Sequence, residues 1–422
     1  MVLTSAVNAD GGSADEENKR RRRRRKRRGR GQRKKTTPEE ILASLSIRRW
    51  AFPDAPLNDA DGDDPCTPAG KMVFEFHSHS TCSDGFLSPT ALVERAHARG
   101  VKVLALTDHD TMAGVAEAVE VANKFGIRII PGVEISAVYS PREESETEEP
   151  VHILAYYGSC GPSRFEALEK VLSSIRDGRY LRAEEMVFKL SKLNLPLKLD
   201  VVAKIAGNGV APGRVHVASA MVESGYVDNL KQAFSRYLHD GGPAYAKGAE
   251  PFAEDVVRLI CHTGGVAALA HPWALKNPVG VIRSLKDAGL HAIEVYRSDG
   301  KLSGFSDLAD RYELVKIGGS DYHGRSGEDE PDLGSVAIPV LDVYAFLMKA
   351  QPTWRVAMQD TLSGMAEEPS DVDLQKISRF GKFNVIKDFA GLSSGKDAYD
   401  ACQASFLGNQ EQEEDPELDA SL

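Results

Sequence analysis

Several features that are common in secreted, membrane-bound and zinc-ribbon proteins are missing from this sequence. Only five of its 422 residues are cysteine, and no two of them form a Cys-x-x-Cys pair. We therefore expect neither a disulfide framework nor a zinc ribbon. We expect the protein in a reducing compartment. No apolar run approaches the roughly 18 residues of a membrane span, and the first residues lack the apolar core of a signal peptide. These absences predict a soluble intracellular protein without a membrane contact.

Positive charge is concentrated in one short stretch. The formal net charge is −10, from 52 Lys and Arg against 62 Asp and Glu. Residues 19–35 hold 14 of those basic residues and no acidic one, which leaves 38 against 62, or −24, for the remainder. Binding a long nucleic acid needs basic residues along a groove, so this acidic body excludes a broad nucleic-acid surface. Residues 19–35 predict a nuclear-localisation signal or an RNA or importin contact, with a solvated tail as the alternative. The protein is expected in the nucleus or the cytoplasm.

Composition along the chain predicts four regions. Residues 1–40 are polar and polybasic and are expected to be a disordered arm, because they bury too little apolar surface to offset their ordering entropy. Residues 41–70 read as one short helix followed by a Pro/Asp-rich linker. Residues 71–345 hold the main domain, and residues 346–422 form an extension with an acidic tail. A helical insert is expected at about 160–245, because the interval between two predicted strands there is too long for one crossover.

Strand-like and helix-like patterns alternate through the main domain. The helical patterns between the strands end in glycines placed as C-terminal caps, such as Gly100 and Gly126. Repeated strand-helix units give a parallel sheet or barrel, so the expected fold class is α/β. The predicted strands are Val73–Phe76, Val103–Thr107, Ile127–Ile130, Val151–Tyr156, Val266–Ala270, Ala292–Tyr296 and Leu314–Ile317.

Imidazole and carboxylate side chains lie in or directly after all seven predicted strands. His77 and His79 alternate along the first one, so they share a face and can bind one metal ion, and Asp84 follows in the next loop. In β/α barrels the carboxyl ends of the strands meet at one mouth, where catalytic groups gather. The candidate metal ligands are His77, His79, Asp84, His109, Glu134, His152, His271, Asp321 and His323.

This ligand set predicts a particular chemistry. Histidine and carboxylate without thiolate favour Mn²⁺, Fe²⁺ or Zn²⁺, with Mg²⁺ less suited to so many imidazoles. The set is large enough for three divalent ions, most simply Mn²⁺, if one carboxylate bridges. Clustered ions lower the pKa of a shared water and clamp the oxygens of a phosphate, so phosphate-ester hydrolysis by a metal-bridging hydroxide is expected.

Six stretches in order over residues 72–345 resemble the motifs of the PHP (polymerase and histidinol phosphatase) family. They read FHSHSTCSDG, LALTDHDT, IIPGVEIS, VHILAYY, ALAHP and GGSDYHG. The resemblance implies a distorted seven-stranded β/α barrel with a trinuclear metal centre, and it implies that Glu294 is a hydrogen-bonding support. Asp108 and Asp110 flank the candidate ligand His109, so we expect them to orient His109 and the backbone beside it. The three implied metal sites are His77, His79, Glu134 and Asp321; Asp84, His109 and His323; and Glu134, His152 and His271, with Glu134 bridging.

The helical insert resembles that of the bacterial nucleoside 3′,5′-bisphosphate phosphatases, also described as 5′→3′ exoribonucleases acting on short RNA. Those enzymes hold substrate phosphates with insert arginines, and Arg176, Arg179 and Arg214 occupy the corresponding places here. The expected substrate is a nucleoside 3′,5′-bisphosphate or the 5′ end of a short RNA or DNA. One alternative is a histidinol-phosphate-type or other small-molecule phosphatase. An alternative of another class is a nucleic-acid-binding or polymerase-associated accessory module.

Overall fold

The fold is described from a computed structural model. It describes residues 36–53, 72–140, 148–300, 304–325 and 330–367. The predicted disordered arm up to residue 35, most of the predicted linker and the acidic tail lie outside the described residues. The chain divides into two units, residues 1–42 and residues 43–422, and the strands and the candidate site belong to the second.

Seven strands form a single mixed sheet whose spatial order is their order in the sequence. The first and last segments of the sheet also meet, because Ser78 and Tyr322 form a parallel bridge just beyond the first and last strands. The expected seven strands and the α/β class are confirmed. The strands are β1 (Val73–Glu75), β2 (Val101–Leu106), β3 (Arg128–Tyr139), β4 (Glu149–Tyr156), β5 (Val266–Leu269), β6 (Ala292–Tyr296) and β7 (Val315–Gly318).

One strand runs against the direction that the sequence pattern predicted. The strand-helix rhythm predicted a parallel sheet, but β4 is antiparallel to both β3 and β5. The short connection explains this, because residues 140–148 are fewer than the dozen or so that a parallel crossover needs. The pairing with β4 also extends β3 well past Ile130, since residues Gly132 to Tyr139 are all in register with β4.

Helices cover the outer face of the sheet and both of its ends. The first begins with a capping box, in which Thr37 Oγ1 accepts from the Glu40 N–H at 3.2 Å and Glu40 Oε2 accepts from the Thr37 N–H at 2.8 Å. None of the described helices is long and apolar enough to cross a membrane. The helices are α1 (Pro38–Ala51), α2 (Pro89–Ala98), α3 (Val115–Phe125), α4 (Phe165–Lys192), α5 (Leu199–Ala206), α6 (Arg214–Glu223), α7 (Leu230–Ala233), α8 (Ala253–His262), α9 (Pro278–Ala288), α10 (Phe305–Arg311) and α11 (Val340–Glu367).

Helices α4 to α7 lie between β4 and β5, in the interval where the sequence predicted an insert. They bury an apolar cluster of their own, to which Met186, Leu190, Val217 and Met221 contribute. This separate cluster explains how the insert can fold against one end of the sheet without contributing a strand to it.

The inner face of the sheet changes from apolar to polar along the strands. Alternate residues of a strand share a face, so Ile130 and Glu134 of β3 lie on this face with Tyr156 and His152 of β4. The apolar end packs against α11, where the Phe346 ring centroid lies 5.4 Å from that of Tyr156. Glu134 and His152 lie at the polar end, and the candidate site is there.

Candidate metal centre

The nine predicted ligands come together at the polar end of the sheet. Each is placed by a strand or by the turn that follows it. Eight of them form three overlapping groups, and within each group the ligand atoms lie within 4.8 Å of one another. We call these nine residues the ligand cluster. The three groups are His77, His79, Glu134 and Asp321; His79, Asp84, His109 and His323; and His109, Glu134 and His152.

Glu134 is the centre of the ligand cluster. Its carboxylate is buried, and five imidazole nitrogens lie 2.9 to 3.2 Å from its two oxygens. A carboxylate shared in this way can bridge two cations. The five imidazoles belong to His77, His79, His109, His152 and His271.

Two aspartates flank Glu134 on different sides. Asp321 Oδ1 lies 3.3 Å from His77 Nε2 and 3.2 Å from His79 Nε2. Asp84 Oδ1 lies 3.3 Å from His323 Nε2 and 3.9 Å from His79 Nδ1. The two ring nitrogens of His79 therefore face two different groups of the ligand cluster.

The grouping differs in part from the three sites that the family resemblance implied. The first implied site is reproduced as a group. The second gains His79. The third contains His109 in place of His271, which contacts Glu134 Oε1 at 3.0 Å but lies outside that group. The His152 ring centroid lies 5.0 Å from that of His109 and 5.1 Å from that of His271, so both imidazoles are neighbours of His152.

Several buried ligand atoms have no hydrogen-bond partner among the described residues. They are both ring nitrogens of His79, His109 Nδ1 and Asp84 Oδ1. Buried polar atoms in proteins are nearly always paired, since leaving one unpaired costs about 1–3 kcal/mol. A divalent ion would satisfy these lone pairs, so the residues present fit a metal site.

The electrostatics of the ligand cluster also favour a cation. Burial opposes a proton on His79, but Asp321 and Glu134 outweigh burial and raise the pKa of His79 to about 10. Burial lowers the pKa of His109 to about 3, and the neighbouring His79 contributes to this. The imidazoles also hold the pKa values of Asp84, Glu134 and Asp321 well below their usual range, despite burial. These carboxylates stay charged and need positive charge beside them.

Two buried glutamates fix the backbone and rings of the ligand cluster. Glu294 Oε1 lies 3.0 Å from His77 Nδ1, and its Oε2 accepts from the His271 N–H at 2.7 Å. Glu75 accepts from the Ser320 N–H at 2.9 Å and from the Ser320 Oγ at 2.7 Å, and so holds the segment that carries Asp321. The sequence analysis gave Glu75 no role. Its position on β1, two residues before His77, was the available signal.

Asp108 and Asp110 support loops rather than the His109 ring. Asp108 accepts from the Ser80 N–H at 2.7 Å and from the Ser83 Oγ at 2.6 Å, which fixes the turn before Asp84. Asp110 accepts from the Ser136 N–H at 2.7 Å. The structure thus ties both acids to neighbouring backbone, and no contact with the His109 ring is among their described hydrogen bonds.

A cavity of about 710 Å³ opens over the ligand cluster. Arg179 and Arg182 from α4 and Arg214 from α6 also line this cavity, and we call these three residues the insert wall. Arg214 Nη1 donates to Asp240 Oδ1 at 2.5 Å, and its guanidinium lies 6.0 Å from the Phe234 ring centroid. One cavity is therefore lined both by metal-ligating side chains and by guanidinium groups.

The three arginines predicted from the sequence occupy different environments. Arg179 is 9% exposed, and its Nε donates to Asp110 Oδ2 at 2.7 Å while its Nη2 donates to Ser136 Oγ at 2.8 Å. Arg176 does not line the cavity; it pairs with Glu169, and its Nη1 donates to the Asp110 carbonyl at 2.8 Å. Of the three, Arg214 has the most open access to the cavity.

Sequence reasoning missed Arg182. Its Nη1 donates to Glu250 Oε1 at 2.6 Å, and its Nε is buried without a hydrogen-bond partner in the part of the chain that the structure describes. The signal was present, because residues 176, 179 and 182 recur at a three-residue interval and so follow one side of a helix.

Comparison with known proteins identifies the family. Residues 75–298, more than half of the chain, match the PHP domain. The chain is 35% identical over 267 residues to the 3′,5′-nucleoside bisphosphate phosphatase of Chromobacterium violaceum, which covers 62% of this chain and 90% of that protein. It is 34% identical over 283 residues to the 5′-3′ exoribonuclease of Haemophilus influenzae, which covers 64% of this chain and 98% of that protein.

A solved structure agrees with these matches. The crystal structure of a metal-dependent phosphoesterase from Bifidobacterium adolescentis aligns with a TM-score of 0.57 and 27% identity, over 66% of this chain and 97% of that one. The resemblance seen in the six sequence motifs is thereby confirmed. The chain belongs to the PHP domain family of metal-dependent phosphoesterases.

Proposed function

We propose that this enzyme hydrolyses phosphate monoesters of nucleoside 3′,5′-bisphosphates and the 5′ ends of short RNA or DNA. The observation that carries the proposal is the two-sided cavity. A metal-ligating side suits the phosphate that reacts, and a guanidinium side suits a second phosphate that does not. The two named bacterial relatives, a bisphosphate phosphatase and an exoribonuclease, are consistent with a substrate of this kind.

The ligand cluster would hold three divalent ions, for which we propose Mn²⁺, with Fe²⁺, Zn²⁺ and Mg²⁺ as alternatives. Imidazole-rich sites favour the first three of these ions over Mg²⁺. When bound, clustered ions activate water and neutralise phosphate charge. Glu134 would bridge ions, because its two oxygens face different imidazoles. Glu294 would keep the His77 ring oriented through its contact at 3.0 Å.

The insert wall would bind the second phosphate. We assign this role to Arg214 and to Arg182, whose unpartnered Nε is a free donor within the described residues. Arg176 and Arg179 were predicted for the same role, but their contacts with Glu169, Asp110 and Ser136 favour a structural one. A buried guanidinium that is already paired has fewer N–H groups left for a substrate.

Phosphate release from adenosine 3′,5′-bisphosphate with Mn²⁺ tests the proposal. A panel with adenosine monophosphate, a short 5′-phosphorylated RNA and histidinol phosphate identifies the preferred substrate. We expect the bisphosphate or the RNA to be preferred and His77→Ala to lose activity, with the exposed His97→Ala as the matched control. The absence of release from the bisphosphate and the RNA with any divalent ion would reject this function, and a preference for histidinol phosphate would replace it.

The basic stretch at residues 19–35 has a separate proposed role. It lies outside the described residues, and we propose that it serves as a nuclear address or as an RNA contact. Its 14 basic residues support either use. Deleting residues 19–35 should change localisation or salt-dependent RNA binding and leave turnover of the bisphosphate intact. Loss of turnover in the deletion variant would contradict a detachable role.

A further inference from the structure

The part of the cavity that is lined by β3, which we call its floor, changes from charged to apolar along the strand. Glu134, Ser136 and Val138 all line the cavity, as expected for alternate residues of a strand. Glu134 lies in the ligand cluster, Ser136 bonds to Arg179, and Val138 is apolar. The distance from Glu134 to Val138 along the strand is about 13 Å.

An apolar patch lies at the far end of this floor. Phe252 forms a backbone bridge with Val138, and the Val138 N–H donates to the Pro251 carbonyl at 2.9 Å. On β4, Pro150 is in register with Val138. Val138, Pro150 and Phe252 all line the cavity, and we call them the apolar patch.

The Phe252 side chain is used neither for core packing nor for helix capping. It is 51% exposed, although it borders a cavity. It is the N-cap residue of α8, a position that favours Ser, Thr, Asp or Asn, and it makes no side-chain capping hydrogen bond. A phenylalanine at this position therefore leaves aromatic surface available to a ligand.

The other aromatic side chains of the cavity are differently engaged. The Phe234 and Tyr245 ring centroids lie 6.0 and 5.9 Å from the guanidinium of Arg214, at the distance of a cation–π contact. Those two rings thus belong to the charged side of the cavity. Phe252 offers its ring at the apolar end.

We propose that the apolar patch binds the base of a nucleotide substrate, with Phe252 stacking on it. This inference rests on the proposed function, because it requires the substrate phosphate to lie at the ligand cluster. Stacking on an aromatic ring tolerates any base, since every base has a π face, and it contributes about 1–3 kcal/mol per base. The patch would therefore select nucleotides over base-free phosphate esters without selecting one base.

Equilibrium binding, measured without a divalent ion so that neither ligand is hydrolysed, tests this proposal with two ligands that differ only in the base. They are adenosine 3′,5′-bisphosphate and its abasic analogue, 1-deoxyribose 3,5-bisphosphate. Replacing Phe252→Ala should raise the Kd of the adenosine ligand about 5- to 150-fold and leave the Kd of the abasic analogue unchanged. Phe252→Tyr should retain the wild-type Kd.

Two further variants separate stacking from folding. Phe252→Ser supplies a favoured N-cap residue, so the variant should keep or raise the thermal stability of the protein. Its Kd for the adenosine ligand should still rise, as in Phe252→Ala. Phe188→Ala removes a phenylalanine that is 57% exposed and does not line the cavity, and it should change neither Kd.

The outcomes distinguish the inference from the proposed function. Equal changes in both Kd values, or no change in either, would overturn base stacking by Phe252. Turnover by the wild-type protein is measured in parallel, and its absence would reject the proposed function. The ratio of the two Kd values would still decide whether Phe252 binds the base.

Discussion

The ligand cluster and the insert wall line the same cavity, but their charges are arranged differently. In the ligand cluster, lone-pair donors converge, and four buried atoms of His79, His109 and Asp84 have no hydrogen-bond partner among the described residues. In the insert wall, each guanidinium already pairs with a carboxylate. The pairs are Arg179 with Asp110, Arg182 with Glu250, and Arg214 with Asp240.

This difference indicates what each side can do. The ligand cluster brings imidazole nitrogens and charged carboxylates together, a donor set that suits an added divalent cation. The insert wall is already neutralised, so it can orient a phosphate but adds less net attraction. Variants on the cluster side should therefore remove activity, and variants on the insert wall should change stability or substrate affinity.

The largest expected effect comes from removing a carboxylate of the ligand cluster. Asp321 Oδ1 lies 3.2 Å from His79 Nε2, in the group built around Glu134. Asp321→Ala should lower kcat/KM for adenosine 3′,5′-bisphosphate by about 10²- to 10³-fold, the range for removing one group that stabilises charge in the transition state. Steady-state kinetics with Mn²⁺ checks this. An Asp321→Ala variant with a rate near that of the wild type would remove the distinction between the two sides.

Arg179→Ala tests whether Arg179, the buried arginine of the insert wall, stabilises the fold rather than binding substrate. The buried guanidinium pairs with Asp110. Burial alone would raise the pKa of Asp110, but the charge of Arg179 outweighs burial and lowers it. Removing one partner of a buried ion pair costs about 3–5 kcal/mol, so the free energy of unfolding should fall by that order. Urea unfolding measures it. If stability is unchanged and only KM for the bisphosphate rises, Arg179 is the substrate ligand that the sequence predicted.

Arg214→Ala should act on the substrate and spare the fold. Its guanidinium is partly exposed and already pairs with Asp240. KM for the bisphosphate should therefore rise about tenfold, which is the lower end of the effect of losing one charge-assisted hydrogen bond. The KM for a monophosphate should change much less. Equal losses on both substrates would deny Arg214 a role in binding the second phosphate.

A titration of a residue that does not line the cavity provides a reference. Burial lowers the pKa of His291 to about 4, and its Nδ1 accepts from the Ala267 N–H at 3.1 Å. The unfolded pKa is about 6.5, so the unfolded chain takes up the proton first as the pH falls. The stability from neutral His291 is thus complete above about pH 6.5 and is lost as the pH falls toward about 4.

Urea midpoints at pH 7.5 and pH 5 should show this loss in the wild type, and His291→Gln should lose less. The difference between the two proteins should be the same with and without Mn²⁺, because His291 lies outside the ligand cluster. A difference that vanishes on adding Mn²⁺ would show that this titration is coupled to the metal site.

Much of the ligand cluster could be predicted because its signals are local. The alternation of His77 and His79 and the placement of Glu134 and Asp321 beside strands follow from the two-residue period of a strand. Side chains at the same end of adjacent strands then meet without further information. The helical insert was predicted from a different signal, the length of the interval between two predicted strands.

The remaining features depend on contacts between distant residues. Asp110 and Arg179 are 69 positions apart, and nothing near either one indicates that they pair. The support that Asp108 gives to Ser80 and Ser83 is of the same kind. The antiparallel direction of β4 depends on the length of its connection, which the strand-helix rhythm does not reveal.

The most direct test of the account is a metal-loading experiment on the ligand cluster. Metal-free wild-type and His79→Ala proteins are incubated with Mn²⁺ and desalted, and then bound metal and phosphate release are measured on the same samples. The account predicts that the wild type retains Mn²⁺ and releases phosphate, and that His79→Ala loses both together. It would be contradicted if both proteins retained equal Mn²⁺, or if the metal-free wild type released phosphate at the loaded rate.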